Sequence, residues 1–205
     1  MPKVSQEHFI KRRNEILEAA KRVFLKKGFE PATMKDVVEE SGMSRGGVYQ
    51  YFSSTEEMLE ALHERQTNIF TEYLSTLLDN HETVWGALNA YLREYEVKEE
   101  DLGQVPFGII MYEYSVTSWR NERHRQFMLT HSKRSVDAMT DFLQKGVERG
   151  EFHPIQPLET IVYFLFNVTD GLILQATIAN LNIDQLNGQV EGLRLYLKNA
   201  LGVSD

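Results

Sequence analysis

The sequence predicts an all-α protein of nine helices, with a small three-helix domain at the N-terminus and a larger helical domain behind it. Three observations carry this. Apolar residues recur at threes and fours from one end of the 205-residue chain to the other. Helix starts and stops (Ser or Thr followed by an acid, glycine, proline) fall between those periodic stretches. No segment alternates as a strand does, and there is no internal repeat or low-complexity tract.

The first helix is set by Ile16, Ala20, Val23 and Phe24 at i, i+4, i+7 and i+8, with Leu17 and Ala19 widening the stripe. Gly28 ends it, where a left-handed backbone is tolerated. Thr33 caps a second helix, with Asp36 three residues on, Val37 and Val38 turned inward, and Gly42 as the stop. Ser44 opens a very short third helix through Tyr51. Ser54 and Glu57 form an S-x-x-E box ahead of a long fourth helix, on which Met58, Leu62, Ile69, Phe70, Tyr73 and Leu77 recur. A fifth helix covers 83–100. Pro106 precedes the sixth, 107–119. The seventh, 121–149, closes on Lys145, Arg149 and Gly150, basic residues where the helix dipole is negative. Pro154 and Pro157 break the chain before the eighth, 158–181, and the ninth spans 184–201. The domain boundary falls after residue 53, dividing the chain into 1–53 and 54–205.

Composition is that of a globular protein, with 42% hydrophobic and 25% charged residues. The absence of cysteine excludes disulfides, thiolate metal sites and thiol nucleophiles, and it fits a reducing cytoplasm. The N-terminal stretch lacks the apolar core of a signal peptide. The apolar run 161–178 is interrupted by Asn167, Thr169, Asp170, Gly171 and Gln175 and reads as a buried helix in water, so no membrane partner is expected. Charge is uneven. Residues 1–53 hold ten basic against seven acidic side chains, the remainder 12 against 23, and the whole carries −8. An acidic protein with a basic head meets a polyanion through the head.

Three short helices with a Gly-containing turn between the second and third make a helix-turn-helix. Its last helix must enter the DNA major groove, which demands small residues for close approach, a cation or amide for base edges, and hydroxyls for phosphates. The run 44–52 supplies them. Ser44 caps the helix, Arg45 suits guanine O6 and N7, Gln50 suits adenine, and Tyr49 and Tyr51 present hydroxyls. Gly46 and Gly47 each cost roughly 1 kcal/mol in a helix relative to alanine. Close backbone approach explains them better than stability does. Val48 and Phe52 face the core.

These residues, with Ile16-Leu17-Glu18-Ala19-Ala20, Phe24, Gly28, Phe29, Thr33 and Val37, closely resemble the TetR/AcrR family of bacterial regulators over about residues 10–62. The resemblance implies helices 1–3 for DNA and 4–9 for effector binding and dimerisation. It carries DNA contacts onto Thr33, Ser44, Arg45, Gly47, Tyr49, Gln50 and Tyr51. Where the family usually opens helix 4 with lysine, this chain has Thr55. Its hydroxyl still donates to a phosphate, but one counterion-releasing charge is missing.

The expected function is therefore a dimeric repressor on a palindromic, double-stranded operator, released by a small-molecule effector, with no cofactor. On helices 8 and 9, Phe164, Val168, Leu172 and Ala176, and Val190, Leu193 and Leu197, are the candidate dimer interface; packing inside one subunit is the competing explanation. Aromatic residues of the middle helices, Trp85, Tyr112, Trp119 and Phe166 among them, are candidate pocket walls, with Glu113, Asn167 and Asp170 as polar anchors. If Glu113 and Asp170 face inward, the effector is cationic and lipophilic.

Two other functional classes compete with this one. Catalysis lacks support: no H-E-x-x-H, G-x-S-x-G or phosphate-loop motif occurs, and His124 and His131 have no acidic ligand at metal spacing, so neither a catalytic nor a metal residue is assigned. A purely protein-binding adaptor would explain the acidic C-terminal region but not Arg45-Gly46-Gly47.

Overall fold

The structure, a computed structural model, describes residues 6–98, 106–178 and 182–203. Among these residues there are nine helices and no strand: α1 (Gln6–Lys27), α2 (Met34–Ser41), α3 (Arg45–Tyr49), α4 (Thr55–Asn80), α5 (Val84–Arg93), α6 (Phe107–Ser118), α7 (Glu122–Glu148), α8 (Leu158–Ile178) and α9 (Ile183–Ala200). The all-α expectation holds, and most ends fall within two residues of their predicted positions. The fifth helix is the exception, stopping at Arg93. Leu181, the expected end of the eighth, lies outside the described residues.

The chain packs as two compact units, Met1–Gln66 with Ile110–Phe127, and Thr67–Ile109 with Met128–Asp205. By packing, the division therefore differs from a single cut after residue 53. The start of α4, most of α6 and the start of α7 belong with the three head helices, and α4, α6 and α7 each contribute to both units.

In the first unit, Ile16, Leu17, Ala19, Ala20, Val23 and Phe24 are the buried stripe of α1. Val37, Val48, Phe52, Met58 and Leu59 meet it in one core. Local signals end its helices. Gly28 takes φ +85° and donates its N–H to the Phe24 carbonyl at 2.8 Å. Thr33 and Asp36 form a reciprocal capping box at the start of α2, and Gly42 closes that helix in the left-handed region. Asp36 also accepts from Lys27 in the last turn of α1. These partners, Lys27 first and then Thr33, hold its carboxyl down at about 2 from 3.8. A depressed carboxyl contributes stability that is complete above its unfolded value and is lost as pH falls through its folded one. Wild-type protein is therefore expected to lose this contribution between pH 3.8 and about 2. Asp36→Asn should flatten the dependence of the thermal midpoint on pH across that window, and an unchanged profile would show that the pair is inactive in solution.

In the second unit the core joins Leu74, Leu77, Leu88, Leu92, Met139, Phe142 and Leu143 to Ile161, Leu165, Val190, Leu193 and Leu197. Glu151, beyond the end of α7, accepts the Val84 N–H at 2.7 Å and so caps α5 from a distance in sequence. Arg194 of α9 is held by Glu96 at 2.7 Å and Glu191 at 3.2 Å. α8 is long and apolar enough to cross a membrane, yet only 28% of its most apolar window is buried. Its inward residues are Ile161, Val162, Leu165, Thr169 and Leu172. The expected buried helix is thus buried along these residues, while Tyr163, Phe164 and Ile178 stay exposed.

Candidate nucleic-acid interface

α3 is positioned by its two apolar residues and its cap. Val48 is fully buried, Phe52 just beyond it is 1% exposed, and the rest of the helix is held outward. Ser44 Oγ accepts the Gly47 N–H at 3.1 Å. Ser44, Arg45, Gly46, Tyr49 and Gln50 are exposed, while Gly47 and Tyr51 are half-buried. This five-residue helix and its two flanking residues therefore expose a hydroxyl, a guanidinium, a carboxamide and a phenol. The Arg45 guanidinium lies 5.2 Å from the centroid of the Tyr49 ring, within the range of a cation–π contact. That contact restrains a long, exposed side chain, and a restrained side chain loses less entropy when it is engaged.

The two glycines turn out to differ. A Cβ on Gly47 would lie 3.2 Å from Ser44 Oγ, so part of the reason for glycine there is the cap itself. A Cβ on Gly46 would meet nothing within 4 Å. Alanine at 46 would favour the helix by roughly 1 kcal/mol, and nothing inside the protein opposes it. Gly46 is the position at which an approaching external surface best explains the residue.

Thr33 is exposed at the start of α2, its hydroxyl donating to Asp36 at 2.8 Å. Thr55, the first residue of α4, is half-buried with its hydroxyl 3.5 Å from Glu56. All nine residues expected at the DNA surface lie in the first unit. The expected Ser54–Glu57 box is altered: Ser54 Oγ accepts the Glu57 N–H at 3.2 Å, but the Glu57 carboxylate reaches Ser53, accepting from its N–H at 2.7 Å and its hydroxyl at 2.9 Å.

Sequence reasoning missed the other wall of this surface. A groove of about 420 Å³ is lined by Gly42, Met43, Ser44, Gly47, Gln50 and Tyr51 on one side and by His8, Phe9 and Arg12 of α1 on the other. The Phe9 and Tyr51 rings are 4.7 Å apart. The signal was present in the basic, aromatic run Phe9-Ile10-Lys11-Arg12-Arg13, which lies upstream of the apolar stripe that starts α1's core face.

This geometry is matched by known proteins. Residues 16–62 fit a model of the bacterial regulatory proteins of the tetR family, and residues 87–187 fit a tetracyclin repressor-like C-terminal domain. Over 200 residues the chain is 45% identical to the uncharacterised HTH-type transcriptional regulator YfiR of Bacillus subtilis (strain 168), covering 98% of this chain and 97% of that protein. The chain belongs to the TetR family. A more distant TetR-type relative, the HTH-type transcriptional repressor KstR2 of Mycolicibacterium smegmatis, is 24% identical over 77% of this chain and 76% of its own. Among solved structures, a TetR transcription regulator from Haloarcula marismortui superposes with a TM-score of 0.77 at 18% identity, covering 94% of this chain and all of that one. Membership makes this TetR-family protein a DNA-binding transcription regulator rather than an enzyme.

The expected pocket residues are less well gathered. Tyr112, Glu113 and Trp119 fall in the first unit, whereas Trp85, Phe166, Asn167 and Asp170 fall in the second. Tyr112 and Trp119 are 48% and 56% exposed, and Arg120 stacks on the Trp119 ring at 4.3 Å. Glu113 is already engaged: its two oxygens accept the backbone N–H groups of Phe29 and Glu30, each at 3.0 Å. It is thus committed to the protein's own backbone.

The second unit holds a different polar cluster among aromatics. The Tyr91 and Tyr95 hydroxyls are 2.8 Å apart, and Phe70 lies edge-on to both Tyr91 and Phe166. Burial raises both phenols above their ordinary range, and the Asp170 charge adds to the rise. Desolvation likewise pushes the Asp170 carboxyl up. In the sequence, Tyr91 and Tyr95 show only as apolar positions of the fifth helix, so their paired hydroxyls are disclosed by the packing.

Of the seven expected interface residues, Leu172, Val190, Leu193 and Leu197 are only 0–4% exposed within a single chain. They pack in the subunit's own core and leave little surface exposed. Phe164 remains 42% exposed with the Tyr196 ring tilted against it at 4.2 Å, and Val168 and Ala176 keep free surface.

Proposed function

We propose that this TetR-family regulator is a cytoplasmic repressor that binds a palindromic operator as a homodimer and is released by a small-molecule effector. The single observation that carries DNA reading is the outward face of α3, where Arg45, Tyr49 and Gln50 stand exposed beside a glycine with no internal reason to be one. Repression is supported by the name of KstR2.

Dimerisation is supported by α8. A helix this apolar with one face bare in a single chain calls for a cover, and a second copy supplies one without a membrane. Tyr163 and Phe164 on α8 and Leu195 on α9 are 48%, 42% and 57% exposed and offer that surface. Effector binding is supported by the aromatic and hydroxyl cluster around Tyr91 and Tyr95. Of the two acids that would favour a cationic effector, Asp170 is the one still available.

Selection from a random DNA pool, followed by titration at two salt concentrations, tests the proposal. A recovered palindrome whose affinity falls steeply with salt is expected, since each neutralised phosphate releases counterions. Failure to enrich any sequence with folded, ligand-free protein would reject operator recognition.

A further inference from the structure

We propose that Glu113 is a positioning residue for the DNA-binding head: a carboxylate latch by which α6 fixes the turn between α1 and α2, and with it the pose of α3. The proposal rests on the operator-binding function proposed above and adds a residue that makes no contact with DNA.

The turn needs an acceptor. Once Gly28 leaves the helix at φ +85°, the N–H groups of Phe29 and Glu30 have no place in the α1 ladder. The two Glu113 oxygens take one each, both at 3.0 Å, across 84 and 83 residues of sequence. The approach is close enough that a Cβ on Gly28 would stand 3.3 Å from both oxygens. Glu113 is also the single acidic or basic residue in the helix Phe107–Ser118. An otherwise uncharged helix thus spends its one charge on the backbone of another element.

The next residue completes the joint. Tyr114 is fully buried, meets the Phe29 ring edge-on at 5.1 Å, and donates its hydroxyl to Glu60 of α4 at 3.3 Å. The other Glu60 oxygen accepts from Arg123 at 3.0 Å. Two successive residues of α6 therefore grip the turn and α4 together. At its other end α6 answers to a different partner. Phe107–Ile109 belongs to the second unit, where a Cβ on Gly108 would touch Ile173 of α8 at 3.4 Å. Paired hydrogen bonds of 3.0 Å tolerate displacements of only about 0.5 Å before they fail. A small shift of α6 would thus free the turn, and the short α2–α3 segment that follows it.

Amide exchange and DNA affinity in Glu113→Ala and Glu113→Gln test this, with circular dichroism confirming the fold. In Glu113→Ala the Phe29 and Glu30 amides should exchange about tenfold faster or more, and affinity for the selected operator should fall about 5–20-fold, within the usual range of coupling between sites. Non-specific DNA at low salt should be bound within about twofold of wild type, because no phosphate contact is lost. Glu113→Gln should fall between, since its carbonyl accepts while its NH2 group faces the other donor. Should Glu113→Ala not fold, Glu113→Gln carries the same comparison. Unchanged exchange at both amides would overturn the latch; faster exchange with unchanged operator affinity would overturn its positioning role. Wild-type protein that selects no operator would instead defeat the proposed function, leaving the latch to be decided by exchange.

Discussion

Gly146→Ala should lower the thermal midpoint by about 3–10 °C, although alanine is the better helix former by roughly 1 kcal/mol. Gly146 is buried near the end of α7, and a Cβ there would fall 2.2 and 2.3 Å from two carbons of the Phe152 ring. The ring has nowhere to go. Phe152 is 1% exposed in the core of its unit. Its position is set by a Schellman turn, in which Glu151 N–H donates to the Gly146 carbonyl at 2.9 Å and Gly150 N–H to Val147 at 3.0 Å, with Gly150 at φ +73°. The Phe152 N–H also reaches the Gly146 carbonyl, at 3.2 Å, so the backbone cannot carry the ring away without breaking the turn. Overpacking of this kind costs about 1–3 kcal/mol or more, and in a chain of this length each kcal/mol shifts the midpoint by about 2–4 °C. A melt superimposable on wild type would mean that the core yields far more easily than its packing implies.

Gly146 illustrates what a single sequence discloses and what it withholds. Signals that act within a few residues were legible. Gly28, Thr33 with Asp36, and Ser44 all cap as their neighbours dictate, because a cap needs only a side chain and an N–H two or three residues away. The inward turn of Val48 and Phe52 and the outward turn of Arg45 and Gln50 follow from the period of the helix in the same way. Partners chosen in three dimensions were not legible. Glu113 looked like a pocket acid because an acid on an apolar helix has no local explanation, and its explanation lies 84 residues away. Likewise the apolar faces of α8 and α9 announce burial without saying by what. Leu172, Val190, Leu193 and Leu197 are buried by their own subunit, while Phe164 beside them remains open. Periodicity measures how much of a helix must be covered, and only the packing assigns the cover.

Arg45→Ala should weaken binding to the selected operator by about 1–3 kcal/mol, or roughly 5–150-fold, and relax the sequence requirement at one position of each half-site. The prediction depends on which role the guanidinium plays. At the first position of α3, exposed and braced against the Tyr49 ring at 5.2 Å, Arg45 forms no ion pair with an acid among the described residues. Its five donors are thus kept for a partner outside the chain, and removing them leaves no buried acceptor behind in the free protein. The stability of the unbound regulator should therefore stay within about 0.5 kcal/mol of wild type, as for a surface substitution. A base contact and a phosphate contact then separate cleanly. Loss of a base contact costs affinity only on sequences with the right base and leaves the salt dependence nearly intact. Loss of a phosphate contact weakens every sequence alike and lowers the salt slope by about one. Titration of the variant against the selected operator, against single-base variants of it and against unrelated DNA distinguishes the two. Uniform weakening would move Arg45 to the backbone and leave base reading to Gln50 and Tyr49, both exposed.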